Sequence, residues 1–342
     1  MKIALDAMGG DNAPAAAVHG AVWAARDFNL AVQLVGKPEA IEAELAKHNT
    51  TGLELPIVPA SEVIEMDDQP SAAVKNKKDS SMVVGLRLVK QSESDAFVTA
   101  GNSGGALAAA LFGLGRIKGI KRPALSTVFP TDSPHGCCLL LDIGANTDVR
   151  PEFLFQFGLM GHSYVLNVLN IPNPRVGLLS TGEEEGKGNI LIQEAMPLFK
   201  QSKLNYIGNV EAKDIPLGLA DVVVTDGFTG NVYIKGAQGV SMIIQKILQR
   251  EIKARPMAML GAFLARGAIR ALRTKLDYRE FGGGPLLGVN GIVVVGHGRS
   301  DAYAVRNAIR VARKASENRI VQAIENGLRE WENSELLSQV NG

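Results

Sequence analysis

The chain has 342 residues and 46% of them are hydrophobic, so it can bury a sizeable core without disulfides or metals. Its formal net charge of +1 argues against a strongly basic nucleic-acid-binding protein. Its cysteines, Cys137 and Cys138, are adjacent in an apolar run, where neighbouring side chains point to opposite faces. This argues against a structural disulfide or a metal pair and fits the reducing cytosol.

The amino-terminal stretch MKIALDAMGGDNAP turns polar after its first five residues, so it predicts neither a signal peptide nor a membrane span. No later apolar run approaches the ~20 residues that a membrane-spanning helix needs. We therefore expect a protein that is soluble or lies on a membrane surface.

Short apolar runs predict nine strands: KIALDA, AVQLVG, LPIVPA, DAFVTA, GCCLLLDIGA, RVGLLS, LNYIGNV, DVVVTDG and GIVVVGHG. Helix-compatible stretches lie between them, at 13–27, 38–48, 71–92, 151–170, 188–202, 230–253 and 300–332. This alternation predicts an α/β fold, with a largely parallel sheet covered by helices on both faces. Because no linker divides the chain, we expect one catalytic unit over 1–332, with a cleft at the carboxyl ends of the strands. A frayed tail should follow over 333–342.

Six predicted strands end in polar, glycine-rich turns, at 6–12, 99–105, 142–148, 180–189, 225–231 and 296–301. The carboxyl ends of parallel strands form the ligand edge of an open α/β sheet, so we expect these turns to meet at one site. Backbone N–H groups at a helix start bind anions when no side chain intervenes, and 101–105 and 227–230 have this form. No GxxxxGK(S/T) motif occurs, and no GxGxxG follows the first strand. Phosphate or a phosphate-bearing group is therefore favoured over a nucleotide.

Two side chains in these turns have glycine on both sides. Lys187 places an ammonium on a flexible backbone, and His297 follows an apolar run, where an imidazole can move a proton or bind an oxyanion. A solvated surface lysine and a structural histidine are the alternatives. No metal is predicted, because the aspartates show no recognised ligand spacing. Ser103 lies in no nucleophile-elbow motif and has no nearby base in the sequence.

The segment 255–276 separates apolar from basic side chains. At about 100° per residue, one helical face carries Met257, Leu260, Leu264, Ala268 and Leu272. Another face carries Arg266, Arg270 and Arg273, with Met259 and Phe263 nearby. No acidic residue occurs between Glu251 and Asp277. Such a helix can lie in a membrane interface or dock an acidic partner, although packing against a core would also explain its apolar face.

Several long motifs resemble the PlsX family, the bacterial phosphate acyltransferases. They are IALDAMGGDNAP, VTAGNSGGALAAAL, LDIGANTDVRPEFLFQFGLMG, LLSTGEEEGKGN, VVVTDGFTGNVYIKGAQG and FGGGPLLGVNGIVVVGHGRS, and they span about residues 1–330. The resemblance implies that phosphate attacks the thioester of an acylated acyl carrier protein, giving acyl phosphate for phosphatidic acid synthesis. It also implies a fold similar to phosphotransacetylases and isocitrate-type dehydrogenases, a homodimer, no cofactor and peripheral association with the inner face of the cell membrane. Acyl carrier protein and a downstream glycerol-3-phosphate acyltransferase are the implied partners.

The residues and the resemblance together give a candidate site. The catalytic candidates are Lys187, Asn231, His297 and Asp226. The candidates for binding phosphate or substrate are Asp6, Gly9, Gly10, Asn12, Gly101, Asn102, Ser103, Gly104, Asp142, Asn146, Thr181, Gly182, Gly227, Thr229 and Gly230. The candidates for contact with carrier protein or membrane are Met257, Leu260, Phe263, Leu264, Arg266, Arg270 and Arg273.

Three other functions stay open on the sequence. A phosphotransacetylase-like enzyme would use the same nucleophile with acyl-CoA as donor. The turns that begin at Asp6 and Asp142 also resemble the acidic, glycine-containing phosphate loops of actin-like kinases, although those loops belong to β-hairpins. A membrane-surface scaffold would use 255–276 alone, and it would leave the six polar turns unexplained.

Overall fold

The computed structural model describes residues 1–340, with all side chains except those of 272, 273, 275, 276, 278 and 334–340. Within this part of the chain, an 11-stranded sheet forms the centre of the fold. Its strands are β1 (Lys2–Asp6), β2 (Ala31–Gly36), β3 (Ile57–Pro59), β4 (Ala96–Thr99), β5 (Ala124–Pro130), β6 (Cys137–Leu141), β7 (Arg175–Ser180), β8 (Asn205–Glu211), β9 (Val222–Val224), β10 (Gly283–Leu287) and β11 (Val293–Gly296). All nine predicted strands are present, and β5 and β10 are additional.

The strands run in two opposite directions across the sheet. Their order is β3-β2-β1-β4-β11-β10-β5-β6-β9-β7-β8. Pairing is parallel from β3 to β11 and again from β6 to β8. Between these two parts, the pairs β11–β10, β10–β5 and β5–β6 are antiparallel. Because three successive reversals invert the direction, β6 to β9 run opposite to β1 to β4 and β11.

Helices cover both faces of the sheet, as predicted. They are α1 (Ala15–Phe28), α2 (Pro38–Leu45), α3 (Pro70–Asn76), α4 (Ser81–Lys90), α5 (Ser103–Gly113), α6 (Pro151–Asn167), α7 (Ile190–Lys200), α8 (Gly227–Lys253), α9 (Pro256–Leu264), α10 (Arg266–Leu276), α11 (Tyr278–Phe281), α12 (Ala302–Glu317) and α13 (Ile320–Val340). Along β6, Leu139 and Leu141 belong to the core under α6, α7 and α13, whereas Cys138 and Leu140 belong to a core that Tyr233 of α8 covers. Neighbouring side chains of a strand point to opposite faces, so each face of β6 has its own helices.

Two predicted helices are each two helices in the structure. The stretch 71–92 is interrupted after Asn76, and Ser80 caps the second helix by accepting a hydrogen bond from the Val83 N–H at 3.4 Å. The stretch 300–332 is interrupted at Arg319, whose φ of +47° is left-handed and ends α12.

The carboxyl-terminal helix corrects the expected tail, because α13 continues to Val340 and the backbone of 333–340 is helical. Ile320, Ile324 and Leu328 bury one side of α13 in the core, and Trp331 packs against the same core. Once such turns are fixed by packing, each further residue adds a hydrogen bond at low entropic cost.

The segment 255–276 is not one continuous helix, which corrects the sequence prediction. Arg255 is extended because the residue before a proline avoids the helical region, and Pro256 then starts α9. The helix breaks again at Ala265, so the expected faces are divided between α9 and α10. No residue of α9 is buried, so core packing does not explain its apolar side chains. The side chains of Leu272 and Arg273 lie outside the described residues.

Among the described residues, no helix combines the length and the apolar character needed to span a bilayer.

Candidate functional site

The six glycine-rich turns form two groups at opposite ends of the sheet. The turns 6–12, 99–105 and 296–301 follow β1, β4 and β11 at one end, which we call the β1 edge. The turns 142–148, 180–189 and 225–231 follow β6, β7 and β9 at the other end, which we call the β6 edge. The expectation of a single shared edge is therefore wrong, because the antiparallel pairs between β11 and β6 reverse the strand direction.

At the β1 edge, the buried carboxylate of Asp6 joins two turns. Its Oδ1 accepts a hydrogen bond from the Met8 N–H at 3.1 Å, and its Oδ2 accepts one from Thr99 Oγ1 at 2.7 Å. Thr99 Oγ1 in turn accepts from the Gly101 N–H at 2.9 Å. Burial raises the pKa of Asp6, and its hydrogen bonds oppose the rise. A Cβ at Gly9 would overlap the Asp6 carboxylate, so glycine is needed there.

At the start of α5, Asn102 is fully used as a structural cap. Its Oδ1 accepts from the Gly105 N–H at 2.9 Å, and its Nδ2 lies 3.1 to 3.2 Å from three carbonyl oxygens of the segment 65–68. The side chain therefore fixes this segment against α5. Ser103 is exposed and Gly104 is half-buried at the same helix start.

The turns 6–12 and 296–301 are also held together. Asn12 Nδ2 donates to the carbonyl oxygens of Arg299 and Ser300 at 3.3 and 3.2 Å. Gly10 has a φ of +101°, and a Cβ there would lie 3.1 Å from the carbonyl oxygen of Gly298. Asn12 and Gly10 thus shape the β1 edge through backbone contacts.

His297 lies exposed at this edge, with a defined tautomer. Its Nδ1 accepts from the Arg299 N–H at 3.2 Å, so the neutral ring carries its proton on Nε2. Partial burial of the ring and the positive charges of Arg299 and Lys235 lower the pKa of His297, whereas the negative charge of Asp11 raises it.

At the β6 edge, the carboxylate of Asp142 accepts five hydrogen bonds. Its Oδ1 accepts from the N–H groups of Leu125, Gly144 and Ala145 at 3.1, 3.1 and 3.0 Å. Its Oδ2 accepts from the N–H and the Nδ2 of Asn146 at 2.7 and 2.8 Å. Burial raises the pKa of Asp142, and these donors oppose the rise. Because both oxygens are used to shape the turn, we interpret Asp142 as a positioning residue.

The turn 142–148 contacts the first turn of α8 through the backbone. The Asn146 carbonyl oxygen accepts from the Gly227 N–H at 2.7 Å, and Asn146 Nδ2 donates to the Pro123 carbonyl oxygen at 2.7 Å. A Cβ at Gly227 would lie 2.5 Å from the Asn146 carbonyl oxygen, and a Cβ at Gly230 would overlap that of Asp142. Both glycines permit this close approach.

Within the start of α8, Asp226 and Thr229 satisfy each other, whereas Asn231 keeps hydrogen-bonding capacity. The oxygens of Asp226 accept from the N–H and the Oγ1 of Thr229 at 2.8 and 2.7 Å, so Asp226 acts as the helix cap. Asn231 Nδ2 donates to the Ile143 carbonyl oxygen at 3.1 Å. Within the described residues this is the one hydrogen bond of the Asn231 amide, so its oxygen and second N–H can serve a ligand.

Lys187 is an exposed cation in the turn after β7. Two glutamates that precede it are paired with other lysines, Glu185 with Lys200 at 2.6 Å and Glu183 with Lys213 at 3.6 Å. No ion pair of the Lys187 ammonium occurs among the described residues. Its positive charge is therefore available to an anion.

The turn that carries Lys187 adjoins the start of α8, because β7 and β9 are neighbours in the sheet. Gly182 is buried beneath the lysine, and a Cβ there would lie 2.9 Å from Lys187 Cγ. Thr181 is exposed beside it. The structure thus brings Lys187 and Asn231 to the same edge.

The third turn of α8 carries a charge that acts on a residue of the β1 edge. The helix starts at the β6 edge, and Lys235 in its third turn is close enough to His297 to lower the pKa of that imidazole. Nothing in the sequence marks Lys235, because one lysine on a predicted helix forms no motif. Pro123 and Leu125, whose backbone groups bind the turn 142–148, are not marked either, because backbone contacts leave no signal in residue types.

Among the residues whose side chains the structure describes, no three His, Cys, Asp or Glu residues are grouped as metal ligands.

Comparison with known proteins establishes the family. The model of the family described as "Fatty acid synthesis protein" matches residues 1–323. The chain belongs to this family. It is 49% identical over 327 residues to the phosphate acyltransferase of Heliobacterium modesticaldum, covering 95% of this chain and 97% of the relative. It is 47% identical over 330 residues to the phosphate acyltransferase of Geotalea daltonii, covering 96% and 95%. The resemblance to the PlsX family is confirmed.

The fold of the chain is also found in solved structures. A phosphotransacetylase from Streptococcus pyogenes superposes with a TM-score of 0.61 at 17% identity, covering 95% of this chain and 94% of the other. A branched-chain phosphotransacylase from Enterococcus faecalis superposes with a TM-score of 0.59 at 13% identity, covering 93% and 99%. The predicted similarity to the phosphotransacetylase fold is confirmed.

Proposed function

We propose that this chain transfers an acyl group from acylated acyl carrier protein to inorganic phosphate. One observation carries the proposal: at the β6 edge, Lys187, which has no ion pair among the described residues, lies in a turn next to that of Asn231, whose amide makes one hydrogen bond there. A phosphate oxygen attacks the thioester carbonyl carbon, the C–S bond breaks, and the thiolate of the carrier takes a proton from solvent. The products are acyl phosphate and free carrier protein.

The residues at the β6 edge have distinct roles in this proposal. Lys187 balances the charge of the phosphate and orients it. Binding thereby holds the phosphate close to the thioester, and no nucleophile from the protein is needed. Asn231 donates an N–H to the oxyanion of the tetrahedral transition state, where one such donor contributes about 3 kcal/mol. Asp142, Asn146, Asp226 and Thr229 position these groups. At neutral pH phosphate is already anionic, so a general base is optional.

The β1 edge has a different role in the proposal. The positive charge of Lys235 on α8 lowers the pKa of His297, which supports an acyl donor that extends along α8 from the β6 edge toward His297. Gly10 and Gly104, both half-buried, leave part of the backbone of the turns accessible there. His297, exposed at this edge, then contacts the donor.

The exposed apolar side chains of α8 and α9 support two further proposals, a homodimer and contact with the inner face of the cell membrane. Every residue from 239 to 250 is exposed. The large apolar side chains of this stretch are Val240, Met242, Ile243, Ile244, Ile247 and Leu248. We propose that a second copy covers them, which light scattering on the purified protein would test.

The membrane proposal rests on α9, where Met257 and Leu264 are 79% and 76% exposed and Leu260 and Phe263 are also exposed. Arg266 and Arg270, both exposed on α10, would bind lipid phosphates beside them.

The reaction itself is tested by incubating the protein with palmitoylated carrier protein, with and without phosphate. We expect phosphate-dependent release of carrier protein and formation of palmitoyl phosphate, both measured by mass spectrometry. The product would be consumed by a glycerol-3-phosphate acyltransferase. Turnover of palmitoyl-CoA but not of the carrier-bound thioester would favour the phosphotransacetylase-like alternative. A product that requires ATP would contradict the proposal.

A further inference from the structure

A basic turn lies between α5 and β5, next to the β6 edge. Residues 115–123, GRIKGIKRP, carry Arg116, Lys118, Lys121 and Arg122 and no acidic residue, in a chain whose net charge is +1. All four cationic side chains are exposed. No ion pair of theirs occurs among the described residues. We call 116–122 the basic turn.

The apolar residues of the basic turn anchor it in the core. Ile117 and Ile120 are 2% and 4% exposed, and both belong to the core under α6. Gly119 has a φ of +91°, which lets the chain reverse between them. The Ile120 N–H donates to the Ile117 carbonyl oxygen at 3.1 Å, which closes the turn. The alternation of apolar and basic residues therefore puts the isoleucines inside and the cations outside.

Hydrogen bonds also fix the backbone of the basic turn. Buried Gln156 of α6 accepts from the Lys121 N–H at 2.7 Å and donates to the Gly119 carbonyl oxygen at 3.0 Å. The Arg116 guanidinium donates to the Lys121 carbonyl oxygen across the turn. Because the backbone is already ordered, a partner that binds the cations has little chain entropy to remove.

The basic turn is directly connected to the candidate site. Pro123, the residue after it, accepts the hydrogen bond from Asn146 Nδ2, and the Leu125 N–H donates to Asp142. The Asn146 carbonyl oxygen in turn accepts from the first N–H of α8. A partner bound at the basic turn would therefore lie beside the turn 142–148 and the start of α8.

We propose that the basic turn docks an acidic protein surface, that of the acyl carrier protein which delivers the thioester; this rests on the proposed function. A single phosphate group is bound by donors that converge on it. Here the cations project from an exposed turn, which suits several carboxylates spread over a protein surface. The basic turn is thus a separate surface from α9, whose exposed side chains are mainly apolar, and from α10.

The test compares two acyl donors. We expect a Lys118→Glu, Lys121→Glu variant to raise the KM for palmitoylated carrier protein tenfold or more, while the KM for palmitoyl-N-acetylcysteamine, a small uncharged thioester, stays within twofold. A Lys118→Gln, Lys121→Gln variant should show a smaller rise in the same direction. For the parent, the KM for carrier protein should rise with salt, and the Glu variant should lose most of this dependence.

The control is Lys37→Glu, Lys78→Glu, which makes the same charge change at two exposed lysines far from residues 116–122 in sequence. An equal rise of KM in this control, or an unchanged KM in both variants of the basic turn with circular dichroism intact, would overturn the docking surface. A parent enzyme that turns over the small thioester but not the carrier-bound one would instead contradict the proposed function.

Discussion

The α-carbon of Gly230 packs against the carbonyl oxygen of Asp142, so that a Cβ at position 230 would overlap this oxygen. The contact joins the second turn of α8 to the end of β6 and holds Asn231 next to the turn 142–148. Any side chain at 230 must push these two elements apart. We therefore expect Gly230→Ala to lower the free energy of unfolding by about 3 kcal/mol, measured by urea denaturation.

The matched control for this change is Gly236→Ala in the same helix. A Cβ at Gly236 meets nothing within 4 Å, so alanine should only improve helix propensity and raise the free energy of unfolding by about 0.5–1 kcal/mol. Equal effects of the two substitutions would mean that the contact with Asp142 is not what constrains position 230.

Lys187→Ala and Asn231→Ala should each lower the rate of phosphate-dependent thioester cleavage tenfold or more, which corresponds to about 1.4 kcal/mol or above. The first removes the charge that binds phosphate, and the second removes the oxyanion donor. The measurement is kcat with carrier-bound palmitate, and Lys203→Ala, at another exposed lysine, is the control. If both variants kept activity within twofold of the parent, neither residue would belong to the site.

Asp142→Ala should destabilise the fold, because it leaves four donors of the turn and the Leu125 N–H of β5 without their acceptor. We expect the free energy of unfolding to fall by about 3 kcal/mol. Asp148→Ala, at an exposed carboxylate of the same turn, should change it by less than about 0.5 kcal/mol. A small effect at Asp142 would show that the turn holds its shape without the carboxylate.

His297 should make stability depend on pH. Burial and the nearby cations lower its pKa below the ordinary value of 6.5, so the unfolded chain binds a proton more readily than the folded protein. The contribution of this pKa shift to the free energy of unfolding is present above pH 6.5 and is lost as the pH falls through the lowered pKa of His297. His297→Gln should flatten this loss in urea denaturation series over about pH 5 to 8. An identical pH dependence in parent and variant would contradict the shift.

Leu260→Glu with Leu264→Glu should release the protein from anionic liposomes in a flotation assay. Both leucines are exposed on α9, and a carboxylate at either position opposes insertion between lipid headgroups. Ile190→Glu, at a residue 74% exposed on α7, is a control that adds charge at another apolar surface position. The membrane proposal fails if the double variant floats as well as the parent does.

Most of the fold is visible in the sequence because buried strands and their helices have distinct periodicities. The two missed strands, β5 and β10, explain the main error. β10 contains Gly283, Gly284 and Pro285, which are depleted in strands, and Ser126 and Thr127 interrupt the apolar pattern of β5. These two strands reverse the sheet direction. Missing them therefore placed all six turns at one edge.

The positions of the polar turns could be predicted from residue types, but the hydrogen bonds of their side chains could not. Glycine, aspartate and asparagine mark turns that do follow strands in the structure, because such turns need open backbone and polar side chains. The sequence does not reveal that the side chains of Asn102 and Asp142 form their hydrogen bonds with other groups of the protein. Nor does it show that Glu183 and Glu185 bind other lysines, while Lys187 has no ion pair in the part of the chain that the structure describes. These distinctions depend on which groups the fold brings within 3 Å or so of one another.

The length of α8 has a consequence for cooperativity. Its 27 residues extend for about 40 Å, and the stretch 239–250 has no buried side chain with which to offset the entropy of a fixed backbone. The order of the stretch 239–250 then depends on the surface that covers it. Backbone amide hydrogen exchange there should slow as the protein is concentrated, while exchange in β1 and β6 stays constant.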